Sequence, residues 1–159
     1  MANKRLEPER SGSHVDDVLR GYDEIEERLV AAGFPPTSPW WRATIERWYR
    51  GTDNAGGVRQ LVARVGRRGG KSSTLSRLAV AEALYGHHDV PPGDLGFVAV
   101  ISTDRKEAAR RLRTIKSILD ALRIEYEPVP DTPMAIYVVD TRIGFSVFTA
   151  SVAGVSGFT

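Results

Sequence analysis

The chain has 159 residues, 42% of them hydrophobic and 26% charged, with no cysteine and a formal net charge of +2. That size and composition fit about one soluble globular domain with a real core. Disulfides and thiolate metal sites are excluded, no apolar run approaches the ~20 residues that span a bilayer, and the opening residues lack the apolar core of a secretory signal, which fits an intracellular setting.

Residues 1–12 are polar and are expected to be disordered. A helix is signalled from Ser13, a capping residue with Asp16 three positions on. Val15, Val18, Leu19, Tyr22, Ile25, Leu29 and Val30 form one stripe, and Gly33 supplies the stop. The acidic outer face of this helix reads as solvated surface. Phe34-Pro-Pro-Thr-Ser is a connector. A second helix follows, with Ser38 as cap, Pro39 in the first turn and Gly51 as its end. Its aromatics, Trp40, Trp41, Trp48 and Tyr49, read either as packing against the neighbouring layer or as an adenine-facing platform.

The centre of the sequence is Leu61-Val-Ala-Arg-Val-Gly-Arg-Arg-Gly-Gly-Lys-Ser-Ser73. An apolar run (Leu61, Val62, Ala63, Val65) predicts a strand. Glycines, a lysine and hydroxyl residues follow, and then a helical pattern from Ser73 to Tyr85. Strand, loop and helix in that order are the context of a phosphate-binding loop. Gly66, Gly69 and Gly70 let backbone amides approach phosphate oxygens, and the helix N-terminus adds a partial positive charge. Lys71 is placed for the β/γ-phosphates of a nucleotide, and the Ser72 hydroxyl for Mg²⁺, with Ser73 beside it. The common pattern G-x-x-x-x-G-K-[ST] would put its first glycine at Val65; here Gly66 is one residue late and Arg67 and Arg68 fill the loop. The plain alternative is a basic surface turn ahead of a helix.

That helix is apolar nearly all round, which predicts burial between layers. His87 and His88 fall in the next loop, and adjacency turns their side chains apart on any regular element. Gly96-Phe-Val-Ala-Val-Ile101 is continuous and apolar, as in a buried parallel strand. Ser102-Thr-Asp104 caps an amphipathic helix with Ala108, Leu112, Ile115, Leu119 and Leu122 on one face. Arg105, Lys106, Arg110, Arg111, Arg113 and Lys116 lie on the other. Residues 61–123 hold 12 basic and 6 acidic side chains, so this third is the electropositive one and suits a polyanion, nucleotide or nucleic acid.

Ile124 to Pro133 is a polar, proline-bearing connection. Ala135–Val139 and Ile143–Phe148 read as strands joined by Asp140-Thr-Arg142, a hairpin. Asp140 is the nearest candidate for a magnesium carboxylate, with a turn aspartate as the competing reading. Ser151 to Thr159 is small-residue loop chemistry. Helices alternating with strands predict an α/β protein with a largely parallel sheet.

In this order the parts resemble the N-terminal ATPase domain of the large terminase subunit, the DNA-packaging motor of tailed bacteriophages. Ser38-Pro-Trp-Trp-Arg-Ala-Thr-Ile45 is similar to that family's adenine motif, with Arg42 where the family has glutamine. Gly66-Arg-Arg-Gly-Gly-Lys-Ser72 resembles its arginine-bearing phosphate loop. The strand Val98–Ile101 with its long basic helix, and the run Gly144–Gly157, match later segments.

The resemblance implies an incomplete P-loop NTPase fold of the RecA-like kind, with a mostly parallel sheet flanked by helices. It covers residues 35–159, preceded by a tail and helical extension over 1–34. It implies ATP and Mg²⁺ as cofactors, held by residues 66–73 with Trp41 and Arg42 at the base. Arg67 would act on the γ-phosphate within the subunit. Ser156 stands where relatives carry an arginine directed at a neighbouring subunit. The implied partners are double-stranded DNA, a portal protein, a small terminase subunit and further copies in a ring, in the cytoplasm of an infected bacterium. The family's Asp-Glu strand and nuclease domain would lie past Thr159, so this chain is expected to bind nucleotide weakly and hydrolyse it slowly or not at all. Another P-loop DNA motor, such as a helicase, and a non-catalytic phosphate- or DNA-binding module remain as alternatives.

Overall fold

The computed structural model of the protein describes residues 6, 8–9, 11–52, 60–102 and 104–149. Within them the order is α1 (His14–Ala31), α2 (Pro39–Thr52), α3 (Lys71–Tyr85), β1 (Gly96–Ser102), α4 (Arg105–Leu122), β2 (Tyr126–Pro128), β3 (Ala135–Val138) and β4 (Ile143–Thr149). It is a mixed α/β arrangement.

Helix α1 begins as its sequence requires: the Ser13 hydroxyl accepts the Asp16 amide at 3.2 Å. Beyond its end, Gly33 takes the left-handed conformation at φ +89°. Val15, Val18, Leu19, Tyr22, Ile25 and Leu29 are buried, whereas Val30 is 43% exposed, so the stripe ends one residue early. Leu6 is buried in the same cluster although its polar surroundings predict disorder, because one apolar side chain still gains by leaving water. Helix α2 runs through Gly51, the expected stop, to Thr52. Helix α3 starts at Lys71, two residues before the expected Ser73, and is buried on nearly all sides.

α3 and α4 pack on each other and on β1 and β4, and α1 lies on α3 and α4. The approach of α1 to α3 depends on a missing side chain. A Cβ on Gly21 would lie 2.2 Å from the Tyr85 ring. Tyr85 is fully buried there, and its hydroxyl donates to Glu24 on α1 at 2.8 Å.

The sheet order is β1-β4-β3-β2. β1 and β4 are parallel, with Val98 opposite Phe145, while β4–β3 and β3–β2 are antiparallel. The expectation of a largely parallel sheet is therefore corrected among the described residues. The turn at 140–142 is too short for a crossover and joins only antiparallel neighbours. β2 arises inside the stretch expected to be a plain connection. Its Pro128 lies at the sheet's edge, where a missing N–H is tolerated.

Two strand expectations change as well. β1 is not buried on both faces: exposure alternates along it, and Ile101 is 57% exposed. Residues 61–65 form no described strand, with Val62 84% exposed. A strand is stabilised by the neighbour it pairs with, and among the described residues β1 pairs on one side only, with β4.

Candidate functional site

The segment from Gly66 to Ser73 folds into a tight turn at the head of α3. The Gly69 amide donates to the Gly66 carbonyl at 3.3 Å, and the Thr74 amide to the Gly70 carbonyl at 2.9 Å. Two glycines are required by the geometry. Gly70 is the helix N-cap at φ +71°, and a Cβ on Gly69 would sit 2.3 Å from Val65 Cγ1. Arg68 takes φ +63° without glycine's freedom, at a cost of about 1 kcal/mol.

No side chain caps α3, so its first amides are left for another acceptor. Lys71 folds back over the loop, its Nζ 3.4 Å from the Gly66 carbonyl. Arg67, Arg68 and Lys71 are exposed around these amides, and Ser72 and Ser73 are half-buried on the first turn. Loop amides, lysine and hydroxyls thus lie together at the head of one helix. The exposed loop cations leave the turn electropositive.

Helix α2 is fastened at one end to this turn and near its other end to the far part of α3. Trp41, 3% exposed, donates its indole N–H to the Gly69 carbonyl at 2.7 Å. Near the other end, the Tyr49 hydroxyl donates to Glu82 on α3. Burial, and then the Glu82 carboxylate, push Tyr49 well above the usual phenol range, so it remains a donor. Trp40, by contrast, is 56% exposed.

A cavity of about 380 Å³ opens between α2 and the turn, lined by Pro35 to Ser38, Trp41, Arg68 to Gly70, Ser73, Thr74 and Arg77. A second, of about 390 Å³, lies between α3, the end of β1 and α4, where Lys71, Ser72, Ser102, Glu107 and Arg111 meet Leu75 and Ile101. Glu107 there is engaged by Arg110 at 2.8 Å and Arg111 at 2.6 Å.

Of the sequence-predicted residues, the structure brings Gly66 to Ser73 and Trp41 together. It does not bring Arg42, which forks onto Asp23 of α1 through two bonds of 2.6 Å. Asp140 sits in the hairpin turn and lines a different cavity with Leu84, His88 and Val90. Ser156 and the loop around it lie outside the described residues. Among the described residues, no group of three or more His, Asp or Glu side chains is placed to hold a metal.

What sequence reasoning missed is Arg77. It is 1% exposed on α3, six residues past Lys71, and bonded to Glu26, Thr37 and Pro35. The available signal was a lone arginine inside an otherwise apolar helix, where a charge needs a partner.

No family model matches the sequence, and no curated protein does. Among solved structures, the fold is similar to the crystal structure of the HK97 bacteriophage large terminase, with a TM-score of 0.62 at 15% identity. The likeness covers 84% of this chain and 27% of that one, so the chain spans about a quarter of that protein's length. At this identity the likeness is one of fold. No helix among the described residues is long and apolar enough to cross a membrane.

Proposed function

We propose that this chain is the nucleotide-binding part of a phage DNA-packaging motor, a P-loop ATPase of the large-terminase kind. The observation that carries the reading is the turn at 66–72: an uncapped helix start, a loop closed over glycines, and Lys71 folded across it. The residues fit a nucleoside triphosphate with Mg²⁺. The α3 amides and Lys71 take the phosphates, Ser72 offers a hydroxyl to the metal, and Arg67 neutralises charge on the terminal phosphate. MgATP supplies the phosphoryl group; the chain's own part is to bind and orient it. Trp41 fixes the loop carbonyl at Gly69 and thereby the direction of the amides around it. The fold likeness to a phage large terminase supports the packaging assignment.

Double-stranded DNA is the second ligand of this reading. Arg105, Lys106, Arg110 and Arg113 are exposed on α4, with Lys116 half-exposed, opposite the buried Leu112, Ile115 and Leu119. A basic stripe of this kind suits a phosphate backbone. In assembly the chain would work with a portal protein, a small terminase subunit and further copies in a ring, in the cytoplasm of the infected host.

One observation favours binding without turnover by this chain. Glu107 is the carboxylate lining the cavity beside Ser72, and two arginines already occupy it. Titration of the protein with MgATP, and the same with Lys71→Ala, tests the proposal. Binding by the wild type that weakens at least tenfold in Lys71→Ala is expected. Equal affinity in the two proteins refutes it.

A further inference from the structure

Helix α1 contributes nothing to the phosphate loop directly, yet it reaches the connector beside the loop through one ion pair, buried at Arg77 and half-buried at Glu26. Arg77 Nη1 donates to Glu26 Oε2 at 2.5 Å and to the Thr37 hydroxyl at 2.9 Å, and Nη2 donates to the Pro35 carbonyl at 2.7 Å. Glu26 also accepts from the Thr37 amide and, at 2.9 Å, from the Thr37 hydroxyl. Tyr22, one turn before Glu26, lies 2.9 Å from that hydroxyl.

The connector offers few groups by which it could be fixed. Pro35 and Pro36 have no N–H. Its Pro35 carbonyl, Thr37 amide and Thr37 hydroxyl are all taken by this pair. The same residues form one side of the 380 Å³ cavity whose other side is Trp41 with Gly69 and Gly70. Arg77 Nε is buried beside that cavity without a hydrogen-bond partner among the described residues.

An ion pair with its arginine buried and its carboxylate half-buried adds little stability over apolar side chains of the same volume, so stability does not account for Arg77 in this apolar helix. Its distinctive effect is geometric. It sets where the connector stands above the loop.

We propose that Glu26 is a positioning residue for nucleotide: through Arg77 and Thr37 it holds the Pro35–Ser38 connector as the wall of the cavity beside the phosphate loop. The inference rests on the nucleotide reading above. The loop amides and Lys71 address phosphate, whereas the exposed proline rings of the connector, on the cavity beside the loop, address the nucleoside. Glu26 therefore controls affinity for the nucleoside part and leaves affinity for the phosphates alone.

The test compares MgATP with magnesium tripolyphosphate on the full chain, by calorimetry, in wild type, Glu26→Gln and Thr37→Val. ATP affinity is expected to fall about tenfold in both variants, with tripolyphosphate affinity unchanged within about twofold. A variant that folds and binds both ligands like wild type overturns the inference. So does equal loss of both, which marks a general structural defect. If Glu26→Gln does not fold, Glu26→Met/Arg77→Met removes both charges, keeps the core filled, and must show the same selective loss. A wild type that binds neither ligand takes down the nucleotide reading itself, a result distinct from wild-type binding with unaffected variants.

Discussion

Gly21→Ala sets two effects against each other. In an exposed helix interior the change should stabilise by about 1 kcal/mol, because alanine has the higher helix propensity and the unfolded chain loses freedom. Here the new Cβ would lie 2.2 Å from Tyr85 Cδ2, 2.3 Å from Cγ and 2.7 Å from Cε2. Cγ lies on the axis about which the ring turns, so rotating the ring does not clear that 2.3 Å contact. The ring is fully buried, and its hydroxyl is tied to Glu24. Relief therefore requires α1 to move off α3, and overpacking of this kind costs about 3 kcal/mol or more. The clash wins, and the net loss is about 2 kcal/mol, or ~4–8 °C in the thermal midpoint for a chain of this size. Circular dichroism melts of Gly21→Ala, Tyr85→Leu and the double variant measure it. In the Tyr85→Leu background the penalty should fall by more than half. A Gly21→Ala protein that melts higher than wild type would show that propensity alone governs the site and that α1 is not closed onto α3.

Other outcomes follow from the same geometry. Trp41→Phe keeps the ring volume and loses the bond to the Gly69 carbonyl, about 1 kcal/mol, so MgATP affinity measured by calorimetry should drop about fivefold. Asp17 is held well below the usual carboxylate range by its bonds to Arg20 and then His87. A carboxylate lowered in the folded state stabilises above its unfolded value near pH 4 and loses that contribution as pH falls further. Asp17→Asn should therefore flatten the acid limb of stability below about pH 4, seen in urea melts across pH. If the α4 stripe meets duplex DNA, Arg113→Ala should weaken binding alike for all sequences and lower the salt slope by about 1. An unchanged slope in fluorescence anisotropy would remove Arg113 from the contact.

The helices were legible because their signals are local. Ser13 with Asp16, the spacing of Val15 to Leu29, and the four-and-three spacing from Ala108 to Leu122 each lie within a turn or two of chain, and each element formed where expected. The turn at Asp140 was readable for the same reason. Strand partners are not local. Nothing in Leu61–Val65 says whether a neighbouring strand is present, and nothing in Gly96–Ile101 distinguishes a strand covered on both faces from one whose alternate residues face outward.

The site divides along the same line. The turn proposed to bind phosphate is one contiguous stretch, so its glycines, lysine and serine could be read off in order. The contacts that fix the turn and the connector beside it span 28 to 51 positions in sequence: Trp41 to Gly69, Arg77 to Glu26. Each announces itself only as a misfit, an indole N–H in a helix that must bury it or a guanidinium among alanines and leucines. A buried donor has to find an acceptor, so such misfits show that a long-range contact exists without naming its partner. Arg42 illustrates the reverse case. The family resemblance puts it at the base, but Asp23 on the neighbouring helix offers it a two-bond carboxylate, and a guanidinium goes where that geometry is met.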